Sequence, residues 1–251
     1  MRNAVHAEWT KLRTLPSTPW LLLGIVALTV LTAAAATLPV TTEHCPPAGC
    51  FEDTTRLSLS GVRVSQVAVV VLAALIVGNE YGTGMISLTF AATPVRRTVL
   101  AAKALVLVAV VSVPAVLGVL GSLAAGDVIL TGNGFDGLGP VWRPGIGTVL
   151  YLVLVALLTL GVTAVVRDTA GAITTMLLIL VAAPVIGGLV TDPHWRERIA
   201  EFTPMPAGLA IQATVGLDTL PIGPWAGLGV LTAYAGVALL VGGVMLAVRD
   251  V

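Results

Sequence analysis

Charge is what this sequence has least of. Only 10% of its 251 residues are Asp, Glu, Lys or Arg, against about 25% in a water-facing domain. So few polar groups cannot cover a globular surface, which excludes soluble enzymes and nucleic-acid-binding modules. Basic and acidic residues number thirteen each, so net charge points to no partner. Lysine is scarcer still. Lys11 and Lys103 stand against eleven arginines, a compositional bias that carries no chemistry by itself. Neither lysine follows glycine, as a Walker A phosphate loop requires; Lys11 follows Thr10 and Lys103 follows Ala102. His6, His44 and His194 all lie outside the apolar stretches, and no charged residue sits at the centre of one. Ion-coupled carriers place ionisable groups there, so that class is disfavoured. The paired acids or Ser/His pair of an embedded protease are missing too.

What is present is apolar. Hydrophobic residues make up 57% of the chain and the mean hydropathy is +0.99. A helix needs about 20 apolar residues to cross a bilayer, so the gaps between charges measure the spans. Arg13 to Glu43 leaves 29 residues, Lys103 to Asp127, Arg143 to Arg167 and Asp168 to Asp192 leave 23 each, and Asp218 to Arg249 leaves 30. Arg63 to Glu80 leaves only 16, a span if Arg63 snorkels and Leu57 to Val62 complete its length. The expected architecture is an all-α membrane protein forming one transmembrane domain over residues 1–251. Its six spans fall at about 19–40, 59–79, 104–126, 145–166, 169–191 and 225–248. Before them, residues 1–18 read as an interfacial helix, with Val5, Trp9 and Leu12 on one face and His6, Thr10 and Arg13 on the other. A cleaved leader ending near Ala33-Ala34-Ala35 is disfavoured, because nineteen residues before Trp20 are long for its basic region.

Lysine and arginine set the orientation. With the N-terminus inside, eight cations fall on the cytoplasmic side and five outside, while nine of the thirteen acids fall outside. Both termini are then cytoplasmic. The first outer loop holds Cys45 and Cys50, four residues apart around two prolines and a glycine. A disulfide, two free thiols and a metal site with His44 all remain open there. The segment Glu80 to Lys103 faces the cytoplasm. Gly82 and Gly84 allow a sharp exit, Met85 to Ala92 can form a short helix, and Thr93-Pro94 suits a helix start. In the fifth loop Asp192 and Pro193 open a helix that places Trp195, Ile199 and Phe202 on one face. Ala207 to Val215 then reads as a segment dipping into the outer leaflet.

The cytoplasmic segment, "EYGTGMISLTFAATPVRRTVLAAK", resembles the loop between helices two and three of type-2 ABC transporter permeases. Glu80-Tyr81, Gly84, Ile86, Pro94, Arg97, Leu100 and Lys103 carry the likeness, with Met85 and Ser87 departing from it. Glu8-Trp9-Thr10-Lys11-Leu12-Arg13 resembles that family's N-terminal interfacial helix, and Phe202-Thr203-Pro204 with Ala207-Gly208 its last external loop. The resemblance implies a bacterial cytoplasmic-membrane exporter subunit. Loop two would be a coupling helix docking on a separate ATPase, in two copies, through Glu80, Gly84, Met85, Ile86, Pro94, Arg96, Arg97 and Lys103. Trp9, Lys11 and Arg13 would mark the interfacial helix, and a re-entrant element would lie between helices five and six. ATP and Mg would belong to the partner, this chain carrying no cofactor and no catalytic or metal residue. A second permease, expected as a homodimer, would complete the pathway in the lipid bilayer, with no nucleic acid involved. A facilitative or ion-coupled carrier and a non-transport immunity or assembly factor are the competing readings. Substrate identity is not legible, though aliphatic span faces suit an amphipathic cargo.

Overall fold

Long charge-free runs must bond their backbones internally, and the helix does this within one segment. The protein is described by a computed structural model over residues 2–42, 53–85 and 96–248. Every regular element there is helical: α1 (Arg2–Thr14), α2 (Ser17–Thr37), α3 (Thr54–Ser58), α4 (Val62–Gly82), α5 (Arg96–Gly132), α6 (Trp142–Val166), α7 (Thr169–Leu189), α8 (Pro193–Phe202), α9 (Pro204–Leu209) and α10 (Pro224–Val248). Six helical stretches, those built on α2, α4, α5, α6, α7 and α10, are long and apolar enough to cross a membrane. Their bounds follow the charge gaps closely. The third helix runs further than its apolar stretch, from Arg96 to Gly132 without a break. Cys45, Cys50, Ile86 and Pro94 lie outside the described residues, as do the short helix expected over Met85 to Ala92 and the helix start at Thr93.

The second span runs over Thr54–Gly82, so Leu57 to Val62 complete its length as expected; a turn at residues 59–61 divides it into α3 and α4. Gly61 sits in the intervening turn, where an added Cβ would lie 2.1 Å from the Thr29 carbonyl oxygen of α2. α2 and this turn are therefore in close contact.

α4 and α6 form the buried middle, with α2, α5, α7 and α10 around them. Leu72, Leu107, Tyr151, Leu152, Leu160, Met176 and Leu180 fill the centre. The outer helices keep large apolar side chains exposed, including Leu31, Leu120, Leu178, Leu189 and Leu240. Exposure on that scale suits a lipid surround rather than water. Within the centre, the Tyr151 hydroxyl donates to Gln66 Oε1, and Gln66 Nε2 donates to the Arg63 carbonyl. Each polar group in that apolar setting thus has a partner.

The segment after α8 packs inward. Asp192 caps α8 by accepting from the His194 N–H, with Pro193 at its first turn as expected. On the face bearing Trp195, Ile199 and Phe202, Ile199 is half-buried near Gly187 of α7 while Trp195 and Phe202 are exposed, and α8 fully buries no residue. Residues Ala207 to Ala213, by contrast, are buried between α6 and α10. Glycines permit this. A Cβ on Gly147 would reach within 2.0 Å of Ile211, and one on Gly227 within 2.0 Å of the Ala207 carbonyl oxygen.

Two substitutions on α10 separate close packing from helix propensity. Gly227→Ala should lower stability by about 1–3 kcal/mol through overpacking. Gly229→Ala meets nothing within 4 Å and should raise stability by about 0.5–1 kcal/mol. Thermal unfolding in detergent measures both; equal effects would remove the close-contact account of α9 and α10.

Candidate functional site

Four charged side chains from three helices meet at the end of the bundle where α4 finishes. Glu8 and Lys11 lie three residues apart on α1, Glu80 is near the C-terminus of α4, and Lys103 is two turns into α5. Lys103 Nζ donates to Glu8 Oε2 at 2.7 Å, to Glu80 Oε1 at 2.7 Å and to the Ile76 carbonyl at 3.3 Å. Its three ammonium protons thus have three acceptors. Lys11 Nζ closes the circuit, 3.0 Å from Glu8 Oε1 and 2.7 Å from Glu80 Oε1. Anion and cation alternate around the ring, and its charges sum to zero.

Burial makes this arrangement consequential. Lys103 is 2% exposed, Glu8 4% and Glu80 7%. Ions so far from water persist only when paired. Glu80 Oε2 has no hydrogen-bond partner among the described residues, so the carboxylate is held entirely through its other oxygen. At Lys11 burial disfavours the ammonium, but hydrogen bonding to Glu80 and the charges of Glu8 and Glu80 outweigh it and raise the pKa above 10.5. A raised lysine stabilises fully below its unfolded value, and the contribution is lost as pH climbs through the folded one.

The opposite flank of α4's last turn is held differently. The Arg167 guanidinium carbon lies 5.6 Å from the centre of the Tyr81 ring, within cation–π range. The same side chain donates to the Met245 carbonyl of α10 at 3.1 Å. Arg167 takes φ 62°, a left-handed conformation that ends α6. One turn below, a Cβ on Gly78 would meet Thr169 Oγ1 at 2.0 Å, so α4 and α7 touch there. Glu80 and Tyr81, adjacent in sequence, thus fasten α4 on one side to α1 and α5, on the other to Arg167. The chain leaves this clamp through Thr83, Gly84 at φ +70°, and the exposed Met85.

The expected site residues divide accordingly. Glu80 and Lys103 are interior partners of one another rather than surface charges, and Lys11 joins them. Trp9 is half-exposed and Arg13 exposed on α1. Leu12 is buried as the amphipathic pattern implies, but Glu8 is buried beside it. Arg96 and Arg97 occupy the first turn of α5, their side chains outside the description. The missed residue is Glu8, together with the α1 face it shares with Lys11. A signal existed: a three-residue spacing puts both on one helix face, and the chain's only lysines stood ready to pair. Among the described residues no cluster of His, Cys, Asp and Glu could hold a metal ion.

Residues 4–186 match the family model described as "ABC-2 family transporter protein". The match runs from α1 into α7 and includes every member of the charged ring. No curated protein matches the chain.

Removing one ion from the ring should be worse than removing a neutral pair. Lys103→Met strands two buried carboxylates on a single cation and should cost about 3–5 kcal/mol. Adding Glu8→Gln should restore part of that loss in a double-mutant cycle. Additive losses would show that the ring does not act as a unit. For Lys11→Met, the stability deficit should be constant below pH 10.5 and shrink as pH rises further. A deficit that grows with alkalinity would contradict the raised pKa.

Proposed function

The chain belongs to the ABC-2 family of transporter proteins, and we propose that it is the membrane-spanning permease subunit of an ATP-driven exporter. The observation that carries this reading beyond membership is the double fastening of α4's last turn, from which the segment over residues 86–95 departs. Such a segment transmits force only if its base is rigid. Here the base is tied to α1 and α5 by ion pairs and neighbours Arg167, which reaches α10.

In the proposed mechanism a separate ATPase docks on residues 86–95, with Gly84, Met85 and Arg97 at the edges of the contact. ATP and Mg act on that subunit, consistent with a sequence that has no Gly-Lys step. Movement of the docked segment is carried by Glu80 into α4 and, through Lys11 and Lys103, into α1 and α5 together. Three helices then respond as one body rather than absorbing the displacement by bending. The N-terminus and this clamp face the cytoplasm, α1 lies at the membrane interface, and Ala207 to Ala213 form a re-entrant element near the outer face. A second permease chain completes the pathway in the bacterial cytoplasmic membrane.

Glu80 and Arg97 should then fail differently. Arg97→Ala should weaken ATPase docking and lower the stimulation of ATP hydrolysis, with thermal stability unchanged. Losing one side of a desolvated interface pair costs about 2–5 kcal/mol, a loss of 30-fold or more in docking. Glu80→Ala should lower stability first, because its partners are internal. The exposed Arg198 of α8 provides a control that should be silent. Copurification, ATPase assay and melting of the same three variants decide the matter. Robust ATP hydrolysis by the isolated chain would sink the permease reading.

A further inference from the structure

A second site lies at the opposite end of α4. A cleft of about 350 Å³ opens between α3, the start of α4, α7, α9 and the turn before α10. Arg56 of α3 and Arg63 of α4 both line it, and its remaining wall is apolar, including Pro184, Met205, Leu209 and Ile222. The two guanidinium groups repel one another. Neither makes an ion pair among the described residues. The nearest acid in sequence, Asp53, is already engaged: its carboxylate accepts from the Arg56 N–H, the Thr214 N–H and hydroxyl, and the Val215 N–H.

Two cations lining one cleft beside an apolar wall, without an ion-pair partner among the described residues, form an incomplete arrangement. An anion between them would turn repulsion into attraction, and guanidinium forks match carboxylate and phosphate oxygens with paired hydrogen bonds. A small inorganic anion would leave the apolar wall wet, whereas a hydrocarbon tail would cover it. We propose that this cleft binds an amphipathic anion, its phosphate- or carboxylate-type head between Arg56 and Arg63 and its tail against Met205, Leu209 and Ile222. The proposal deepens the permease reading and rests on it for the cleft's place at the outer face, where it names the class of molecule held beside the buried Ala207–Ala213 segment. That molecule is either a phospholipid of the outer leaflet or a free amphiphile on its way out.

The test uses the full chain in an uncharged maltoside detergent, without ATPase, so its outcome is independent of whether the chain is a permease. Radiolabelled decyl phosphate is titrated onto the wild type and onto Arg56→Gln, Arg63→Gln, Ile222→Trp and the Arg198→Gln control. Saturable binding is expected, weakened about tenfold by either cleft arginine change, the worth of one charge-assisted hydrogen bond. Added salt should weaken it as well. Ile222→Trp fills the cleft while keeping both charges and should abolish binding; Arg198→Gln should leave it unchanged. Binding that survives both arginine changes, or survives Ile222→Trp, overturns the site. Competition by inorganic phosphate as strong as by unlabelled decyl phosphate also overturns it, because the apolar wall would then play no part. Displacement by phosphatidylglycerol supports the site with a membrane lipid as occupant, and resistance to displacement supports it with a free amphiphile.

Discussion

Bringing three charges out of water beside a fourth that is half-buried is the constraint on which the α1, α4 and α5 end of this structure depends. None of Glu8, Glu80 and Lys103 can be left alone in an apolar bundle, so the ends of α1, α4 and α5 must meet in one register. A shift of one residue in any of the three would strand an ion. Lysine suits the position better than the arginine that dominates the rest of the chain. A compact ammonium presents three donors around one atom, and Lys103 uses them on three acceptors that converge from α1 and α4. A planar guanidinium would spread its donors too widely for that geometry.

The opposite end of α4 is organised by other means. There the helices approach through glycine, with Gly61 against Thr29, Gly147 against Ile211 and Gly227 against Ala207. Polar links are short and local: Gln66 with Tyr151, Gln212 with Thr148, and Asp53 with Thr214. Glycine contacts serve both ends, since Gly78 also lies against Thr169 beside the ring, but among the described residues the ion pairs are confined to the ring.

Much of this was legible in the sequence because charge is so rare in it. Gaps between charged residues located all six long helices, and Asp192-Pro193 marked the start of α8 correctly. What escaped were relations between segments distant in sequence. Nothing in residues 57–62 announces that Gly61 will lie against Thr29 of α2. Glu80 looked like a surface charge because it adjoins a polar loop, and only the position of α1 turns it inward. Helical periodicity put Trp9 and Leu12 on one face of α1, yet it weighs apolar residues and overlooks the buried acid Glu8 beside them. On α8 the stripe of Trp195, Ile199 and Phe202 is only partly covered among the described residues, with Ile199 half-buried near Gly187.

Both lysines of the chain lie in the ring. Every side-chain primary amine the protein possesses is therefore committed to one structural junction, with Lys103 sealed from solvent and Lys11 partly so. Acylating reagents and lysine-directed proteases, which normally report on a whole surface, here report on a single event. Separation of α1 from the bundle would unmask Lys103 and leave the rest of the molecule chemically silent.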